Sequence, residues 1–231
     1  MTAQTPLFVI LSEFRRTIRA LALAVGLTTL VIFFLTPHLL HYVQMHLADK
    51  LYFFAVAEPF LAHVKLAFFG AVYGLIPWVM TVFWRAIAKP FGVKGTEVFF
   101  FIFFTCLLFY AGTLFCYFIT LPFGIKFLLG FGSEELRAVI SVSRFVNFTT
   151  IFILAFGAVF ELPIFMVFLA KVGLCSRSFF ARNRRIALLI IAILAAMLTP
   201  TPDVVNMLLM GGPLYLLYEA GIVILMVMRI K

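Results

Sequence analysis

The residue with the most chemical potential in this chain is Glu161, a carboxylate set inside the apolar run from about Phe145 to Leu169. At about 1.5 Å per residue that run covers a hydrocarbon core of roughly 30 Å, and Glu161 falls within about two turns of its middle. An acid at that depth is costly unless it is protonated, paired, or turned toward a wet or protein-lined cavity, so it marks a functional site. The other reactive side chains assemble no reacting centre. His38, His41, His46 and His63 include two imidazoles three residues apart. A zinc site needs three or four N, S or carboxylate ligands in fixed geometry, and histidines of an interfacial polar loop are the plainer explanation. Cys106, Cys116 and Cys175 show no C-x-x-C spacing and are expected to be buried thiols. No Ser, His and Asp set and no phosphate loop falls at one depth, so neither an enzyme nor a metal or cofactor site is expected.

The elements that must position Glu161 follow from composition. Of 231 residues, 65% are hydrophobic and 12% charged, whereas soluble domains are about half apolar and about a quarter charged. The polar stretches between the apolar runs are too short to fold alone, so the expectation is one all-α polytopic membrane domain over residues 1–231. The formal charge of +9 is expected to be topological signal. No basic stripe interleaved with stacking aromatics occurs in a soluble segment, which argues against a nucleic-acid partner.

Leu7, Leu11, Phe14 and Ile18 share one face at helical spacing, with Glu13, Arg15, Arg16 and Arg19 around the rest. That pattern suits a surface helix over residues 1–17. Six spans are expected, at about 18–35, 61–83, 98–121, 145–169, 186–198 and 204–228. The first is longer than a signal-peptide core and is expected to stay attached. Pro37 and Pro122 are expected to stop the first and third spans, Pro77 to kink the second, and Gly211-Gly212-Pro213 to break or bend the last. Trp78 and Trp84, near the far end of the second span, are expected at headgroup level. The fifth run, Ile186 to Leu198, covers only about 20 Å, and the last two spans are expected to be short.

Charge sets the orientation. Arg15, Arg16 and Arg19, the loops holding Arg85, Lys89 and Lys94 and then Lys171, Arg177, Arg182, Arg184 and Arg185, and the C-terminal Arg229 and Lys231 share one face. Only Lys50, Lys65, Lys126, Arg137 and Arg144 remain of the 18 Lys and Arg. The positive-inside rule places both termini in the cytoplasm.

Several motifs occur in order. Leu11-Ser12-Glu13-Phe14-Arg15 precedes the first span. Phe60, Lys65, Pro77 and Trp84 punctuate the second, and Gly112, Phe115, Tyr117, Phe118 and Pro122 the third. Gly157 to Pro163 reads G-x-x-F-E-L-P in the fourth. Arg184-Arg185, the turn Thr199-Pro200-Thr201-Pro202-Asp203, and Pro213 with Tyr218-Glu219 follow. In this order and spacing the chain resembles the TatC family, the multispanning receptor subunit of the twin-arginine protein translocase, from Leu11 to Glu219. It departs from the family pattern at Ile10, where a histidine precedes the first motif in the family, and at Thr81-Val82 in place of Tyr-Gln. It departs again at Val98, in the longer TPTPD turn, and at Met207, with Asn206 as a polar substitute for the family glutamine.

The resemblance implies a protein of the cytoplasmic (inner) membrane that binds twin-arginine signal peptides of folded cargo and works with single-span TatA/TatB-type subunits and further copies of itself. A guanidinium binds a carboxylate through two parallel hydrogen bonds, so an arginine pair calls for acids. Glu13 and Glu97 are the only acids on the expected cytoplasmic face, with Arg15 orienting Glu13 or its loop; the plain alternative is a solvated ion pair. Glu161, with Phe160 and Pro163, is expected to line a concave groove that takes a signal peptide or partner helix. The alternative there is a protonated strut between helices. Thr199, Asn206 and Met207 are candidate docking residues for partner subunits, and Asp203, Glu219 and Lys65 are supporting polar groups. A proton-coupled small-solute transporter using Glu161 is the rival reading; it predicts inverted repeats, and the halves show no convincing self-similarity.

Overall fold

The computed structural model describes residues 6–44, 51–130, 140–198 and 204–228, with backbone only for 6–17, 42–44, 127–129, 198, 205, 206 and 209. Nearly all of it is α-helix: α1 (Pro6–Phe33), α2 (Thr36–Gln44), α3 (Glu58–Ala88), α4 (Gly95–Phe115), α5 (Leu121–Leu129), α6 (Val142–Phe160), α7 (Leu162–Lys171), α8 (Arg177–Arg182), α9 (Arg184–Leu198) and α10 (Val204–Val227). Strands β1 (Leu51–Tyr52) and β2 (Ile140–Ser141) pair in parallel, Leu51 opposite Ile140. Among the described residues, Glu58–Phe91, Gly95–Lys126, Val142–Lys171 and Met210–Val227 are long and apolar enough to cross a membrane. The protein is an all-α polytopic membrane protein. The apolar part of α1, Ile18–Phe33, is shorter, and α9 at 15 residues is about 22 Å long.

Prolines within the apolar runs are accommodated inside helices. α3 continues through Pro77, where the Thr81 hydroxyl donates to the Pro77 carbonyl at 2.7 Å. The third span continues past Pro122 into α5 because Cys116–Thr120 form a π-turn, whose extra residue makes room for the proline ring. α10 runs for 24 residues through Gly211-Gly212-Pro213, so of the break or bend expected there the break does not occur. One missing N–H is a small loss within so long an apolar helix, and Gly211 faces Ala195 and Ile191 of α9 at ordinary contact distance. Pro37 does end the first span, but it stands in the first turn of α2, where its missing N–H has no partner to lose. The segment with His38 and His41 is therefore helical rather than a loop. α1 is unbroken from Pro6 to Phe33, so Glu13 and Arg15 share one helix with the first apolar run.

The chain divides into two compact units, residues 1–106 with 138–151 and residues 107–137 with 152–231; α4 and α6 contribute to both. In the first unit α1 packs along α3. A Cβ on Gly70 would stand 3.2 Å from Ile32 Cγ2, so the helices approach closely there. Ala62, Val142 and Val146 form a small core covered by Leu40, Leu51 and Leu66. Trp84 is not a headgroup anchor. It is 1% exposed, donates its indole N–H to Thr105 Oγ1 at 2.9 Å and stacks on Phe101 at 4.9 Å. A buried indole needs a partner for its N–H, and α4 supplies one. Trp78, at 36% exposure, is free to meet the headgroups. In the second unit α10 packs on α7 and α9.

Candidate functional site

Glu161 lies at the junction of α6 and α7 and is 2% exposed. Pro163 has no N–H to give to Val159, so the helix is interrupted: the Glu161 N–H turns to Ala158 O (3.2 Å), and its carbonyl accepts from Ile164 and Phe165 (3.1 Å each). The junction is clamped by close packing. A Cβ on Gly112 of α4 would stand 2.5 Å from Phe160 Cγ, and one on Gly157 would stand 2.6 Å from Phe109 Cε2. One on Gly221 of α10 would stand 2.7 Å from Met166 Sδ and 3.4 Å from Pro163 Cα. Phe152, Phe156 and Phe160 recur at four-residue spacing on α6 and touch in succession, and Phe156 and Phe160 meet Phe115 of α4. The carboxyl, Phe160 and Pro163 are thus held inside protein and off the lipid.

In the first unit, α3 ends in a 3-10 turn, Lys89–Phe91, closed by Gly92 at φ +65°. The Gly92 N–H donates to Lys89 O (3.4 Å) and the Val93 N–H to Ala88 O (3.3 Å). This paired closure requires a left-handed residue, which glycine adopts without strain. Glu97 follows in the first turn of α4, where the N–H groups of Glu97 and Val98 donate to Lys94 O (3.0 and 3.1 Å). An acid there also suits the positive end of the helix dipole. The backbone brings the Glu13 segment to the same end. Ile32 of α1 lies against Gly70 of α3, and α1 also meets the Lys89–Phe91 turn, so the two helices run antiparallel. Counting back from Ile32 by the separation of Gly70 from that turn arrives at residues 11–13 of α1.

The remaining predicted residues are dispersed. Lys65 donates from Nζ to Ser143 Oγ at 3.2 Å. Glu219 on α10 receives Arg184 in bidentate fashion, Nε at 2.8 Å and Nη2 at 2.9 Å, and the Tyr215 hydroxyl at 3.0 Å. Tyr218 beside it donates to Phe180 O at 2.8 Å. Asn206 and Met207 lie in the first turn of α10, Met207 half-buried. Thr199, Asp203 and His46 lie outside the described residues, as do the side chains of Glu13 and Arg15.

Two arrangements had no counterpart in the sequence reading. One is the set of close glycine contacts around Glu161, signalled only by glycines inside apolar helices. The other centres on Glu58, whose carboxylate accepts the Phe54 N–H (2.7 Å), the Ser143 N–H (3.3 Å) and the Ser141 hydroxyl, tying the start of α3 to β2 and α6. An acid immediately before a helix-starting proline was its one local sign.

Comparison with known proteins gives one consistent result. A profile of the family described as Sec-independent protein translocase protein (TatC) matches residues 9–213. The TatC protein of Carboxydothermus hydrogenoformans is 37% identical over 178 residues, covering 76% of this chain and 72% of the relative. That of Campylobacter jejuni is 38% identical over 180 residues, covering 76% and 71%. A crystal structure of a twin arginine translocase receptor, TatC, in the detergent DDM superposes with a TM-score of 0.81 at 27% identity. The match covers 93% of this chain and 98% of that one.

Proposed function

Because the chain belongs to the TatC family of Sec-independent protein translocase proteins, we propose that it is the receptor subunit that binds twin-arginine signal peptides of folded cargo. It is a multi-pass membrane protein and a component of the translocase. In this reading it lies in the inner membrane with both termini in the cytoplasm, and assembles with single-span TatA/TatB-type subunits and with further copies of itself.

The observation that carries the reading is the convergence of the Glu13 segment of α1 and the Glu97 turn at one end of the first unit. Two carboxylates at one end suit two consecutive guanidiniums, each able to give a carboxylate two parallel hydrogen bonds. Arg15, within the first turns of the same helix, orients Glu13 or the adjoining turn. Glu161, with Phe160 and Pro163, forms the polar floor against which the apolar part of a signal peptide or a partner helix seats. Thr199, Asn206 and Met207 dock the partner subunits. Asp203, Glu219 and Lys65 support the fold.

The deciding experiment is site-specific crosslinking from position 97 to a twin-arginine signal peptide, with a twin-lysine peptide as control. A crosslink to the first peptide and not the second is expected, and it is lost in the Glu13→Gln, Glu97→Gln double variant. Wild-type crosslinking in that variant would sink the assignment. Normal assembly and export by Glu161→Ala would remove the role given to Glu161.

A further inference from the structure

At the first turns of α3 and α6 the chain carries a cleft of about 520 Å³ that neither Glu13 and Glu97 nor Glu161 uses. One wall is apolar, with Phe54, Ala57 and Leu61; the other presents Ser141, Ser143 and Arg144. Among the described residues the one carboxylate in the lining is already committed. Glu58 accepts the Phe54 and Ser143 N–H groups and the Ser141 hydroxyl, and the Ser141 oxygen accepts the Arg144 N–H at 3.3 Å. The cations are not committed to an acid. Lys65 gives its ammonium to the Ser143 hydroxyl, and neither it nor the exposed Arg144 side chain pairs with a carboxylate among the described residues.

Two properties of the cleft define what fits it. The open groups are a guanidinium and a hydroxyl backed by an ammonium, a donor set for an oxyanion with two adjacent oxygens, such as a phosphodiester. The rim is strongly apolar: Phe54 is 71%, Val56 97% and Phe60 61% exposed. That rim leads directly into a helix long and apolar enough to cross a membrane, so it needs hydrocarbon cover that a free anion lacks. We propose that the cleft is a binding site for an anionic phospholipid, with Arg144 and Ser143 on its phosphodiester and Phe54, Phe60 and Leu61 against its glycerol and upper acyl chains. A zwitterionic choline headgroup brings its own cation toward Arg144 and Lys65 and fits worse.

The test uses the full chain purified in detergent, titrated with short-chain phosphatidylglycerol, short-chain phosphatidylcholine or inorganic phosphate while the thermal unfolding midpoint is followed. Phosphatidylglycerol is expected to raise the midpoint of the wild type, and Arg144→Gln to weaken its half-saturation by about tenfold. Arg144→Lys keeps the charge but loses the paired N–H groups and should fall between. Arg85→Gln, at the other end of α3, should titrate as wild type. The Arg144 side chain is exposed, so these variants are expected to share the unliganded midpoint of the wild type. Unchanged phosphatidylglycerol binding by Arg144→Gln overturns the proposal. So does protection by inorganic phosphate at equal concentration, which would make this a free-anion site, or an equal response to phosphatidylcholine.

Discussion

Gly112 lies so close beneath Phe160 that a Cβ placed on it would stand 2.5 Å from Phe160 Cγ and 2.7 Å from its Cβ. That contact fixes α4 against the residue immediately before Glu161.

The contact ranks two substitutions. The obstacle to Gly112→Ala is the base of the Phe160 side chain, which can move only with its backbone. The obstacle to Gly157→Ala is the far edge of the Phe109 ring. Overpacking costs about 1–3 kcal/mol, with Gly112→Ala expected near the upper end and Gly157→Ala near the lower. Thermal unfolding of the two variants in the same detergent checks the order, and export should fall in the same order.

Trp84 and Thr105 form a buried pair across α3 and α4. Each single variant, Trp84→Phe or Thr105→Val, strips one partner and should cost about 1–3 kcal/mol. The double variant removes both polar groups and should lose less than the sum of the singles, a coupling that a double-mutant cycle measures. Additive losses would mean that the hydrogen bond contributes nothing beyond packing.

Arg184 and Glu219 are bidentate, yet their side chains are 49% and 28% exposed, so solvent screens the pair. Glu219→Gln is therefore expected to cost only about 0.5–1 kcal/mol, the loss shrinking at high salt. The clearer readout is local: limited proteolysis within residues 172–183 should accelerate, because the pair ties that segment to α10. Tyr215→Phe should change little.

If Glu97 reads an arginine, the charge-assisted bond and not bulk is what matters. Glu97→Gln should weaken a twin-arginine peptide by about tenfold. Wild-type affinity should fall as salt rises, and replacing one peptide arginine by lysine should weaken binding although the charge is kept. Peptide titration monitored by fluorescence anisotropy, at two salt concentrations, measures all three.

What the sequence determined by itself is whatever has a short range along the chain. Hydropathy over a window of about 20 residues marked the spans. A lone acid within such a window marked Glu161, and residue order in several short motifs marked the family. Pro122 does not stop the third span, as was expected of it, because its missing donor shows locally, whereas the π-turn at Cys116–Thr120 that absorbs it does not. Trp84 was misjudged likewise, since its spacing is the same whether it faces headgroups or the Thr105 hydroxyl. Only tertiary structure decided that Glu58 is tied to Ser141, 83 residues away, that Glu219 holds Arg184, and that three glycines close on the Glu161 junction. Hydrogen bonds and close approaches depend on distances of a few ångströms between residues far apart in the chain, and no window of sequence contains both partners.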